Sequence, residues 1–178
     1  MGKEYSKLKN DSFGISAEEK KLFIDSWTIL RTNPGYYGVC LFIIFFEKFP
    51  EHKSYYSRIK FDEIPDLRAY PDLTLHGLRV MRQFSTIAEY IDKPEMLVQT
   101  LYQHTMSHQK RKITVKAYDD MRKCILMLLT NKLNASGEVL LAWNKILTTL
   151  FKIITDMNAE LQLDTLDIDG EWAAGRLL

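Results

Sequence analysis

The residues with the clearest chemical potential are histidines. There are four, His52, His76, His104 and His108. His52 follows Pro50-Glu51 and is expected at the surface. The other three fall among apolar residues at helical spacing. His76 begins the series His76, Val80, Phe84, Ile87, Ile91, and His104 and His108 continue a stripe from Leu97 and Leu101. A ring nitrogen on an apolar face is costly to bury without a partner. For any one histidine, a bond to a backbone carbonyl satisfies it. Three on two successive helices favour a further reading. Two facing helices that each offer an imidazole can hold a metal, or a metal inside a planar cofactor. His104 and His108, four apart, could also chelate zinc from one helix face. That reading is weaker, because no Glu stands in an H-E-x-x-H arrangement and Cys40 and Cys124 have no C-x-x-C partner. The sequence has no P-loop, no G-x-G-x-x-G and no G-x-S-x-G.

The elements that must carry these rings read as helices. Ser16-Ala17-Glu18-Glu19 is a capping box, followed by Phe23, Trp27 and Leu30 on one face. Asn33-Pro34-Gly35 should end that helix. Tyr36 to Phe49 is apolar all round and predicts a helix buried on most sides, closed by Pro50. The stretch from Ser57 to Asp72 is polar, broken by Pro65 and Pro71, and reads as a connection. A helix is expected from Pro71 to Ile91, stopped at Asp92-Lys93-Pro94. Another carries the His104/His108 stripe. After the basic QKRKITVK comes a helix with Tyr118, Met121, Ile125 and Leu128. Asn131 to Gly137 predicts a turn. The last helix carries Leu140, Trp143, Leu147, Leu150, Ile154 and Met157. The expected organisation is an N-terminal extension over 1–15, one all-α domain over 16–160, and a tail over 161–178 with weak periodicity.

Composition narrows the function. Of 178 residues, 46% are apolar, enough for one sizeable core. Lys and Arg number 24 against 23 Asp and Glu, a net charge of +1, which argues against a nucleic-acid binder. Two cysteines fit a reducing compartment better than a disulfide scaffold. No run of 18 apolar residues occurs, so no single spanning helix is expected. The N-terminus lacks the apolar core of a secretory signal. It does match the M-G-x-x-x-[ST] pattern, with Gly2 as an acylation site and Ser6 in place. Lys3, Lys7 and Lys9 would strengthen attachment to a membrane, here the cytoplasmic face of the plasma membrane.

Over about residues 16 to 160 the chain resembles a globin. Trp27 resembles the tryptophan of the first globin helix. FFEKFPEHKSYY resembles the end of the second helix and the corner that follows. LHGLRVM resembles the distal stretch, SHQKRKI followed by AYDDM the proximal histidine and the next helix, and AWNKIL the last helix. These segments are closest to nematode-type globins. The resemblance implies helices A to H packed around a pocket for haem b. It implies His108 as the axial iron ligand and His76 as the distal histidine, with Val80 one turn later. His108 is preferred to His104 because ten residues separate it from Tyr118, as the family requires.

The same resemblance puts Phe42 at the pocket roof and Tyr56 at the corner where the family has phenylalanine. His104 stands where leucine is usual. Arg79 at the rim would pair with a propionate, Ile113 would contact the haem, and Lys110, Arg111 and Lys112 form a basic corner for propionates or an acidic partner. Gly38 and Gly77 would let two helices cross closely. The implied function is binding of a small gas such as O2, or electron transfer and redox signalling with a partner protein, rather than an enzyme with a defined substrate. The alternative is a haem-free signalling or interaction module of the same fold. Whether the iron takes five or six ligands stays open.

Overall fold

The computed structural model describes residues 13–64, 66–109 and 111–174, with side chains described as far as Leu161. Among the described residues the secondary structure is entirely helical. Six α-helices run in order: α1 (Ala17–Leu30), α2 (Pro34–Lys48), α3 (Pro71–Tyr90), α4 (Pro94–Gln109), α5 (Val115–Leu133) and α6 (Gly137–Ala174). Three short 3₁₀ segments, Pro50–Tyr56, Phe61–Glu63 and Leu67–Ala69, fill the connection between α2 and α3.

The capping box closes as the sequence predicts. The Ser16 hydroxyl accepts from the Glu19 N–H at 3.1 Å, and the Ser16 N–H donates to the Glu19 carboxylate at 2.7 Å. The Asn33-Pro34-Gly35 signal acts differently from expectation. α1 ends earlier, at Leu30, and Asn33 caps the start of α2 by accepting from the Tyr36 N–H at 3.2 Å. Proline tolerates the first helical turn, where its missing N–H would have had no helical partner. α5 runs on to Leu133, and Asn134 closes it in the left-handed region at φ 48°. Asparagine visits that region more readily than most side chains. α6 extends through Ala174 without a break, past the boundary expected at residue 160.

Two features position the cavity. The first is an aromatic knot under α1. Trp143 is fully buried, its indole N–H donates to the Ser26 hydroxyl at 2.8 Å, and its ring lies 4.5 Å from Phe23 and 5.6 Å from Phe84. This ties α6 to α1 and α3. The second is the crossing of α2 and α3. A Cβ built on Gly38 would lie 2.6 Å from the Gly77 carbonyl carbon, and one on Gly77 would lie 2.8 Å from that of Gly38. Both glycines are therefore required by backbone-to-backbone approach, as the expected crossing demands. Phe42 lies one turn beyond Gly38, and His76 is next to Gly77, so this contact brings roof and imidazole together.

His52 departs from expectation. It is 3% exposed, not at the surface. The Pro50–Tyr56 turn folds it under, and its Nε2 meets an Asp120 oxygen at 3.0 Å. Its ring stacks between Phe45 at 4.9 Å and Tyr55 at 5.7 Å.

Candidate functional site

A cavity of about 450 Å³ opens between α3 and α4, roofed by α2 and backed by α5 and α6. Phe42, Tyr56, His76, Arg79, Val80, His104, His108 and Ile113 all line it. Gly2, Lys3, Ser6, Lys7, Lys9 and Lys110 lie outside the described residues. The walls are mostly apolar, with Phe84, Ile87, Ile125, Leu147 and Ile154 forming the inner end. Arg79 and Arg111 line the cavity and are themselves exposed, which puts two cations where it meets solvent.

The two α4 histidines have different surroundings. The Nδ1 of His108 lies 3.0 Å from the His104 carbonyl oxygen and 2.8 Å from the Ser107 hydroxyl. A carbonyl can only accept, so Nδ1 carries the hydrogen and Nε2 keeps its lone pair. No hydrogen bond to that Nε2 is made among the described residues. His104 instead meets the Tyr118 hydroxyl through its own Nε2, at 3.4 Å. The two imidazoles stack, with centroids 3.9 Å apart. The stack holds His104 as a wall beneath His108. His104, where leucine is usual, thus lines the cavity.

Across the cavity, His76 packs against Phe42 at 4.8 Å, and its Nε2 lies 3.3 Å from the Tyr56 hydroxyl. Both tyrosines of the corner line the cavity, but their hydroxyls diverge. Tyr55 turns to the Thr114 hydroxyl at 3.3 Å, and Tyr56 turns to His76.

Electrostatics keeps these rings neutral. Burial pushes the His76 pKa down to about 4, helped by His108, Arg111 and Arg79. Burial, then His108, pushes His104 down to about 3. His108 is also lowered by burial, although its bond to the His104 carbonyl opposes the shift. Neutral imidazole is the form that ligates a metal. Burial likewise raises the phenols of Tyr56 and Tyr118, so both stay protonated and able to donate.

The donor set matches a flat metallated macrocycle with acidic edge groups. One free imidazole nitrogen stands on α4, a second imidazole stands on α3, the interior is apolar, and arginines line the solvent side. Gln83, two turns after His76 on the same helix, lines the wall with a buried amide nitrogen that has no hydrogen-bond partner. Sequence reasoning passed over Gln83, although its spacing of seven from His76 was the available signal. It also passed over Ser107, for which adjacency to His108 was the signal. The Tyr118–His104 bond had no local signal.

A second cluster lies outside the cavity. Glu51, His52 and Asp120 bring three potential metal ligands within 4.8 Å. The Lys116 ammonium already sits there, 2.6 Å from Asp120 and 2.7 Å from Glu51. Lys123 adds a further bond to Asp120 at 3.0 Å. Burial pushes the Asp120 carboxyl up, but the bonds from Lys116, His52 and Lys123 outweigh it and hold the group well below the usual carboxylate range. The cluster is a charge-balanced clamp between the 3₁₀ turn and α5.

Comparison with known proteins agrees with this geometry. A model of the globin family matches residues 40–154. A globin of Nerita albicilla is 21% identical over 79% of this chain and 90% of its own length. Cytoglobin-2 of Danio rerio is 26% identical over 80% of this chain and 82% of its own. A globin of Tritia mutabilis is 24% identical over 78% of this chain and 98% of its own. These likenesses fix the family and leave the nematode-type subgroup unassigned. With the helical order, the tight α2–α3 crossing and the cavity lined by three histidines, they establish that the chain belongs to the globin family of haem-binding proteins.

Proposed function

We infer that the cavity holds one haem b, ligated by His108, and that the protein binds a small gaseous ligand such as O2 on the His76 side. The observation that carries this reading is the state of His108. Its Nδ1 is tied to the His104 carbonyl and the Ser107 hydroxyl, so its Nε2 is a fixed, neutral donor on the cavity wall. Haem supplies an iron with two axial positions, of which an imidazole can fill one. Phe42 and Val80 exclude water, Ile113 packs on the α4 side, and Arg79 and Arg111 are placed to pair with acidic edge groups. His104 backs the ligand ring and keeps its plane.

The opposing imidazole of His76 favours a second reading, in which it also ligates. The protein would then pass electrons to a redox partner, docked at the exposed corner of Arg111 and Lys112. In either case acylation at Gly2 would attach the chain to the cytoplasmic face of a membrane. Intact mass tests that step: a myristoyl increment lost in Gly2→Ala supports it, and an unmodified wild type ends it.

A visible spectrum tests the haem reading. The purified protein, or the protein after haem addition, should give a Soret band. The lack of one would favour the haem-free module. The ferrous spectrum without added ligand separates the two functions, since sharp split bands require both axial positions filled.

A further inference from the structure

Three neighbouring rings pack against the corner residue Tyr56. Its ring meets Phe42 at 5.8 Å and Phe46 at 5.0 Å, both nearly edge-on, and His76 at 5.3 Å. Its hydroxyl is therefore delivered to one place, 3.3 Å from Nε2 of His76. His76 is itself packed against Phe42, which touches Tyr56 as well, so the three rings hold one another. An imidazole nitrogen has either one lone pair or one N–H to offer. Nε2 cannot give it to the phenol and to a metal at once.

We propose that Tyr56 is a positioning residue: its bond to His76 Nε2 and a bond from that nitrogen to iron are alternatives, and the phenol sets the fraction of protein whose sixth position is open to a gas. The proposal rests on the haem reading above. In the open form Nε2 is engaged by the phenol. In the closed form it is released, and the Tyr56 hydroxyl loses its one described partner inside a mostly apolar wall. A buried hydroxyl without a partner is disfavoured, so the bond weights the balance toward the open form. A ligand's apparent affinity then scales with that open fraction.

The experiment uses the full-length, haem-loaded ferrous protein with carbon monoxide as the probe. Tyr56→Phe keeps the ring and removes the hydroxyl. It should raise the closed-to-open ratio about tenfold. The readouts are a fall in apparent carbon monoxide affinity equal to the ratio of the two open fractions, approaching about tenfold where the closed form predominates, and a gain in the sharp split bands before ligand is added. His76→Leu in the Tyr56→Phe background should abolish both effects, because no second imidazole remains to close. Should the Phe variant fail to hold haem, Tyr56→Leu is read in the same way. A wild-type protein and variant with equal affinity and equal bands would overturn the role of Tyr56, as would a variant that is more open. A wild type without a Soret band would instead overturn the haem reading itself, so the two failures are distinct.

Discussion

At the scale of single residues, the decisive contrast lies between His104 and His108. They sit four apart on one helix and stack at 3.9 Å, yet only His108 has its Nδ1 tied to backbone. His108→Ala should therefore abolish haem retention, whereas His104→Ala should weaken it by far less. Haem loss to a competing apoglobin, followed at the Soret band, checks this. If His104→Ala loses haem faster, the axial assignment is reversed. The same burial predicts a pH dependence in the haem-free protein. His76 and His104 titrate near 4 and 3 when folded but near the ordinary 6.5 when unfolded. Between those limits the unfolded chain binds more protons, so stability rises with pH there and is lost as pH falls below about 6.5. Urea midpoints should drop between pH 7 and pH 5, and His104→Leu should reduce that drop. Asp120 acts in another window. Its lowered pKa stabilises the fold at neutral pH, and that contribution fades only below the ordinary carboxylate pKa, near 3.9.

At the scale of elements, the α2–α3 crossing is the tightest constraint. Gly38→Ala would drive a methyl group to 2.6 Å from backbone that cannot rotate aside. The helices must part, at a cost of about 3 kcal/mol. Gly35→Ala, on the same helix, meets nothing nearer than 3.9 Å and should be neutral or stabilising by up to about 1 kcal/mol. Chemical denaturation of the pair checks the contrast, and Gly38→Ala should also loosen haem, because the crossing places both Phe42 and His76.

That crossing was legible through the family resemblance, which put Gly38 and Gly77 at facing positions and so explained why two helices each tolerate a glycine. The stripes carrying His76 and His108 were legible for a different reason: helical periodicity alone puts them on an apolar face. His52 was not legible. Its burial is decided by Asp120, 68 positions away, and by a 3₁₀ turn that local pattern does not specify. The start of α2 was misplaced because Asn-Pro can close one helix or open the next, and only the path of the chain between Leu30 and Pro34 decides. Asp120→Ala tests the clamp that the sequence hid. It leaves the buried His52 ring without its hydrogen-bond partner, while both exposed lysines can turn to solvent, and should cost about 2 kcal/mol.

At the scale of the whole molecule, the cavity and the core are one object. Phe84 packs on Trp143 and Trp27 in the knot under α1, and it also lines the cavity. The inner wall is supplied by α5 and α6, which the same core holds in place. A group that fills this space binds the folded chain and not the unfolded one, so it must stabilise the fold by mass action. At free haem a hundredfold above the dissociation constant, the gain is about 2.7 kcal/mol. For a chain of this length each kcal/mol moves the melting point by about 2–4 °C. Haem should therefore raise Tm by about 5–11 °C in wild type. In His108→Ala the shift should nearly vanish while the haem-free melting point stays close to wild type, because that side chain lines a cavity rather than filling the core. A large haem-dependent shift surviving in His108→Ala would mean that the cavity grips the macrocycle through its walls alone. The same melting curve recorded for wild type with no shift would mean that this globin fold has kept its core and given up its cofactor.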